Sequence, residues 1–135
     1  MILGIGIDAV YIPRMERWAE GPGMTERFFH PEEAARARVL AEAGSGIKRA
    51  AEFLAARFAA KEAFGKALGT GLETMELRDI PVRYKGGERG GEQPELALQG
   101  SALAALEARG GGRVHLSLSH ERDYAMAVVV WESAL

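Results

Sequence analysis

The chain contains no cysteine. Disulfides, thiolate metal sites and cysteine nucleophiles are therefore excluded from any account of it. It also lacks an apolar run approaching the ~20 residues that cross a bilayer. The apolar start MILGIGIDAV has neither the basic leader nor the long apolar stretch of a signal peptide. These absences lead to the expectation of a cytoplasmic protein with no membrane partner. Excess positive charge is missing too: the formal net charge is −2, which argues against general nucleic-acid binding. What remains is ordinary for one globular domain spanning 1–135, at 47% hydrophobic and 27% charged residues in a 135-residue chain.

The charge is segregated along the sequence. Between Arg36 and Lys66 stand Arg36, Arg38, Lys48, Arg49, Arg57, Lys61 and Lys66 against Glu42, Glu52 and Glu62. That zone carries +4 and leaves −6 for the rest of the chain. A basic zone in an acidic protein suits a small polyanion or an acidic partner surface. A solvated helical face with counter-charges from elsewhere would look the same.

Periodicity supplies the elements. ILGIGID alternates Leu3, Ile5 and Ile7 with Gly4 and Gly6, the pattern of a strand whose second face lets another backbone come close. AVYIPRMERWAE reads as a loop and short helix, with Pro13 in a first turn, and Gly21 to Gly23 break it. HPEEAARARVLAEA reads as a helix, with Glu32 and Glu33 in its first turn. IKRAAEFLAARFAAKEAFGKAL is the longest helical signal, closed by Gly69. DIPVRY and PELALQ read as strands around the glycine-rich loop 86–92, SALAALEARGGG as a helix, and RVHLSLSH and YAMAVVVW as a last pair of strands. The order β-α-α-α-β-β-α-β-β predicts an α+β fold of antiparallel strands packed with helices.

Few residues carry candidate chemistry. GIGID lacks the third glycine of a dinucleotide fingerprint, and its glycines lie inside the strand. Asp8 ends that strand, where a carboxylate serves equally as a turn or N-cap residue. Glu62 and Lys66 are four apart and fit an exposed i,i+4 pair. Alanines, Phe58 and Gly65 surround them, however, and the helix runs into Gly69-Thr70-Gly71, whose backbone could approach a phosphate. If Glu62 meets Asp8, two hard oxygen ligands converge near lysines, the pattern for Mg²⁺ held with substrate phosphates. HLSLSH places Ser117 and Ser119 on the face opposite Leu116 and Leu118, with no G-x-S-x-G elbow to expose a nucleophile. His120 at its end either caps a turn or lines a cleft.

These segments together resemble the bacterial holo-acyl-carrier-protein synthases, the small phosphopantetheinyl transferases. GIGIDAVYIPRMER resembles their first signature, FLAARFAAKEAFGKALGTG their second, and HLSLSHERDYAMAVVV their C-terminal segment. The resemblance implies transfer of 4′-phosphopantetheine from coenzyme A to a serine of apo acyl carrier protein, releasing adenosine 3′,5′-bisphosphate. It implies Mg²⁺ on Asp8 and Glu62, and Glu62 also helping to remove the serine proton. Lys66 would stabilise phosphate charge. Gly69, Gly71 and His120 would attend coenzyme A, with His120 also catalytic, and Arg57 and Lys61 would serve its phosphates or the structure of the site. Arg14, extended by Arg27, would meet an acidic helix of the carrier. The resemblance further implies a homotrimer with the site between subunits. The insertion GGERGGE departs from the family pattern in length. The alternative reading is a Mg²⁺-dependent nucleotide-binding or hydrolysing protein with no carrier substrate, which would not need the Arg14 surface.

Overall fold

Two glycines let the first strand lie directly on the longest helix. In the computed structural model, which describes residues 1–21, 23–44, 46–86 and 92–135, strand β1 (Ile2–Tyr11) runs against helix α4 (Gly46–Leu68). A methyl group at Gly6 would overlap the Ala63 carbonyl oxygen and fall 2.7 Å from the Ala67 nitrogen. One at Gly4 would overlap the Ala67 carbonyl oxygen. Ala59, Ala60 and Ala63 on α4 are fully buried, so small residues on both sides set the close approach. Gly6→Ala should therefore cost about 2–3 kcal/mol of unfolding free energy, because backbone must move to admit the methyl. An unchanged urea midpoint would show that the two elements do not touch as described.

β1 continues three residues beyond Asp8 and is followed by a 3-10 turn, Ile12–Met15, and two short helices, α1 (Glu16–Glu20) and α2 (Met24–Phe28). The expectation of a loop from Ala9 is thus corrected. Ala9, Val10 and Tyr11 pair with Met126, Ala125 and Tyr124, so tertiary pairing extends the strand. Helix α2 is also additional to the sequence reading. Trp18 of α1 stacks on Phe28 at 5.3 Å and meets Phe58 of α4 edge-on at 5.4 Å, which anchors these short helices. Helix α3 (Pro31–Glu42) then packs on α4.

Strands β2 (Val82–Lys85) and β3 (Gln93–Leu96) form an antiparallel hairpin. Residues 79–81, expected as strand, instead follow or belong to a 3-10 turn at Leu77–Asp79. The loop between the hairpin strands falls outside the described residues from 87 to 91. Helix α5 (Gly100–Ala108) precedes β4 (Arg113–Glu121) and β5 (Tyr124–Glu132). The main sheet has order β1-β5-β4, antiparallel throughout. An α+β fold of antiparallel strands and helices is what the residue pattern predicted.

The sheet's two faces differ. Gly6, Val10, Leu116, Ala125, Ala127 and Val129 are buried toward α4. On the reverse face Leu3, Ile5, Ile7 and Val128 are 43%, 62%, 61% and 36% exposed. Rows across that face read Ile5–Val130–His115 and Ile7–Val128–Ser117. A continuous uncovered apolar surface of this kind marks an interaction face. Among the described residues no helix is long and apolar enough to cross a membrane.

Candidate functional site

The alternation that buries Gly6 and Val10 also turns Asp8 toward α4, with its side chain only 18% exposed. Glu62 and Lys66 stand one helical turn apart on the same stretch of α4. Lys66 does not pair along the helix with Glu62. Its Nζ reaches across to β1, donating to the Ile7 carbonyl at 2.9 Å and to Asp8 Oδ1 at 3.1 Å. The Glu62 carboxyl is pushed above the usual carboxylate range, first by burial and then by the negative charge of Asp8. Lys66 and Arg14 pull it back down. Two carboxylates and two cations from β1, the 3-10 turn and α4 therefore share one electrostatic neighbourhood.

That neighbourhood fits Mg²⁺. Two carboxylates crowded enough to raise the affinity of one for a proton are relieved equally by a divalent cation. Among the described residues no third histidine or acid joins them to complete a cage. Mg²⁺ characteristically takes one or two carboxylates and completes its shell with water and substrate phosphate.

The glycines after α4 have a structural task. Gly69 and Gly71 hold left-handed φ values of +76° and +63°, and the Gly71 N–H donates to the Gly65 carbonyl at 3.1 Å. A methyl at Gly65 would lie 2.8 Å from the Gly71 carbonyl, so the turn folds tightly over the helix end. A methyl at Gly69 or Gly71 would meet nothing within 4 Å, which leaves their outer sides open.

A second group of charged and aromatic side chains lies elsewhere. Arg36, Arg49, Arg57 and His120 line a cavity of about 520 Å³ with Phe53 and Tyr84; Glu52 and Glu92 also border it. His120 Nε2 is 3.6 Å from Glu52 Oε1. The Arg57 guanidinium lies 3.5 Å from the centre of the Phe53 ring. Arg57 and Glu62 are five residues apart, about 140° around the helix, and Glu52 and Glu62 are about 15 Å apart along it. One chain therefore does not bring His120 or Arg57 to the Asp8–Glu62 pair.

Lys61 takes the structural one of its two expected roles, which corrects the expectation of a phosphate contact. It is fully buried, donates to Glu33 Oε1 and to the Ile80 carbonyl, both at 2.8 Å, and offers no surface to a phosphate. Helix phase explains this, because Lys61 points between α3 and β2 while its neighbour Glu62 points toward β1. Arg14 is exposed beside Glu62, and Arg27 is exposed on α2 beside a cavity formed with Phe28, Met75 and Arg78. Sequence reasoning counted Arg36 and Arg49 only as charge and did not single out Phe53, Tyr84 or Glu33. Their grouping depends on contacts between elements far apart in the chain.

The 4′-phosphopantetheinyl transferase superfamily model matches residues 4–129. The holo-[acyl-carrier-protein] synthase of Treponema denticola is 50% identical over 132 residues, covering 98% of this chain and 99% of that protein. The crystal structure of the holo-[acyl-carrier-protein] synthase of Neisseria meningitidis superposes with a TM-score of 0.77 at 39% identity, covering 98% of this chain and 100% of that one. The holo-(acyl-carrier-protein) synthase of Bacillus anthracis, in complex with CoA (3′,5′-ADP), gives 0.73 at 39% identity and 98% of each chain.

Proposed function

The chain belongs to the 4′-phosphopantetheinyl transferase superfamily, among its holo-[acyl-carrier-protein] synthases, and from that premise we propose how its residues divide the work. The activity is transfer of the phosphopantetheine arm of coenzyme A to apo acyl carrier protein. The serine Oγ of the carrier forms a bond to the phosphorus bearing the pantetheine arm. The bond from that phosphorus to the bridging oxygen breaks, and adenosine 3′,5′-bisphosphate leaves. No protein nucleophile is required, in keeping with a chain without cysteine.

The observation that carries the assignment is the Lys66–Asp8 contact beside Glu62, which gathers metal-binding oxygens and a cation across the β1–α4 seam. Asp8 and Glu62 would hold Mg²⁺. When bound, the metal supplies charge neutralisation to the pyrophosphate and polarises its phosphoryl oxygens. Lys66 holds Asp8 in place and presents its ammonium to the phosphate charge. Glu62, the carboxylate with raised proton affinity, takes the proton from the serine hydroxyl. The cavity of Arg36, Arg49 and Arg57, joined by His120, receives the 3′-phosphate end of coenzyme A. Phe53 and Tyr84 provide aromatic walls there. The outer sides of Gly69 and Gly71 border the ligand path.

Since that cavity and the carboxylates face different ways in one chain, the site is completed between copies. The uncovered Ile5–Ile7–Val128 face supplies the contact area. The family resemblance implies three copies, so light scattering should return three chain masses in solution. A monomer at micromolar concentration would rule this arrangement out.

The direct test of the activity is to incubate the protein with apo carrier, coenzyme A and Mg²⁺ and weigh the carrier. A gain of one phosphopantetheine arm is expected, and no gain with reagents known to be active would defeat the reading. Arg14, at the edge of the carboxylate pair, is assigned to the acidic carrier surface, with Arg27 extending it. Arg14→Ala should raise the carrier KM about tenfold and the coenzyme A KM less than about twofold. Charge reversal at Arg14 would be a poorer test, since it places a third acid beside Glu62. Equal effects on the two substrates would remove Arg14 from the carrier surface.

A further inference from the structure

Three charged side chains are buried together where α3, α4 and β2 meet. The side chains of Glu33, Lys61 and Arg57 are 3%, 0% and 12% exposed. Glu33 Oε1 accepts from Lys61 Nζ at 2.8 Å and from the His30 N–H at 3.1 Å, and Oε2 accepts from the Val82 N–H at 3.2 Å. Arg57 Nε stands 4.0 Å from Oε2, within reach of its charge but without a hydrogen bond. That Nε is buried and has no hydrogen-bond partner among the described residues. The Arg57 Nη1 contact to the Phe53 carbonyl is long, at 3.4 Å.

This arrangement is unbalanced. One carboxylate faces two cations, so the buried triad carries a net charge of +1 where burial disfavours charge. Burial is also the largest influence on Arg57, holding its pKa below the ordinary arginine value. Fixing a long side chain over Phe53 adds a loss of rotamer freedom. The charge of Glu33, the neighbouring Tyr84 and the contact with the Phe53 ring offset these costs only in part. Arg57 also borders a smaller cavity with Glu32 and Arg83; its way out toward Arg36 and Arg49 is the 520 Å³ cavity. An anion there would balance the excess charge and give the guanidinium its missing acceptors.

We infer that Glu33 is a positioning residue for coenzyme A: it draws Arg57 Nε toward the core, stacks the guanidinium on Phe53 and so aims its remaining donors at a phosphate in the cavity. Glu33 touches no substrate. Its carboxylate is itself fixed by the capping-box bond to His30, the Val82 N–H and Lys61, so its own rotamer is determined before ligand arrives. The inference rests on reading that cavity as the 3′-phosphate site, and the experiment separates the two.

The affinity of the full-length protein for coenzyme A and for 3′-dephospho-coenzyme A is measured by calorimetry, with kcat at saturating coenzyme A alongside. The variants are Arg57→Ala, the double variant Glu33→Gln with Lys61→Met, and Glu33→Asp. The double variant removes one negative and one positive charge, so the triad keeps its net charge while the hold on Arg57 is lost; the Ile80 carbonyl and one of the His30 and Val82 N–H groups also lose a partner, a cost read in stability and not in the discrimination between the two ligands. Arg57→Ala should weaken coenzyme A about tenfold or more while leaving the dephospho form nearly unchanged. The double variant should weaken coenzyme A roughly three- to tenfold, again with the dephospho form unchanged and with kcat within about twofold of wild type. Glu33→Asp keeps a counter-charge for Lys61 but withdraws it from Arg57. It should show the same selective loss even if the double variant does not fold.

A folded double variant or Glu33→Asp that discriminates the two ligands as wild type does, while Arg57→Ala does not, would overturn the positioning role and leave the cavity reading intact. If Arg57→Ala itself discriminates normally, the cavity reading fails and the inference falls with it. Equal weakening of both ligands, with kcat falling in step, would assign Glu33 to stability alone.

Discussion

Replacing Glu62 with alanine should lower kcat roughly a thousandfold or more and leave the fold standing. The size follows from what is removed: one of two carboxylates assigned to Mg²⁺ and the group assigned to the serine proton, together several kcal/mol of transition-state stabilisation at about 1.4 kcal/mol per tenfold. The stability expectation follows from the same electrostatics. Glu62 is partly buried next to Asp8, and both burial and that like charge disfavour its ionised form. Taking it away relieves the repulsion, so the unfolding midpoint should stay level or rise, the pattern of a site strained for function. A surface residue in an i,i+4 pair would leave kcat unchanged and lower stability by a few tenths of a kcal/mol. A kcat within about threefold of wild type would return Glu62 to that ordinary role, and a large loss of stability would make it a core residue.

Its neighbour Lys61 should behave in the opposite way. Lys61→Met is expected to lower the unfolding free energy by about 3–5 kcal/mol, because Glu33 would keep its charge at 3% exposure with its closest cation gone. Adding Glu33→Gln should recover most of that loss, since removing a buried pair together is far less damaging than stranding one member. Urea unfolding of the two variants measures both steps. If Lys61→Met proved as stable as wild type, the buried pair would not be contributing as its geometry requires, and Lys61 would again be open to a role with ligand. Adjacent residues of one helix thus carry separate duties, one catalytic and one structural.

Much of this was legible before any coordinates. The alternation around Gly4 and Gly6 announced a strand that something packs against, and α4 is what packs there, with Ala63 and Ala67 at the contact. The alanine-rich run named its own helix from Gly46 to Leu68 almost to the residue. The continuation of β1 through Tyr11 was not legible, because Ala9–Tyr11 become strand only through pairing with residues more than a hundred positions later. Residues 79–81 failed as strand for a related reason: Asp79 is committed to accepting the N–H and hydroxyl of Ser101 at the start of α5, at 2.9 and 2.7 Å.

The candidate site divides along the same line. Asp8, Glu62 and Lys66 were identifiable because each belongs to a short local pattern. The choice of Lys66 between Glu62 and Asp8 was not, since a lysine four residues after a glutamate serves either. His120 and Arg57 looked like companions of Glu62 in sequence, yet the phase and rise of α4 set them apart within one chain. Lys61 looked like one more cation of the basic zone until its partner Glu33, 28 residues upstream, appeared 2.8 Å away.

By itself, then, the sequence determined most of the elements, the family and the chemical types available, because periodicity, glycine placement and motif spacing are properties of neighbours along the chain. The tertiary structure alone decided which charges meet, which are sealed from water and which face a ligand. Those outcomes depend on distance and burial between remote segments, and Coulomb and desolvation energies respond to nothing else.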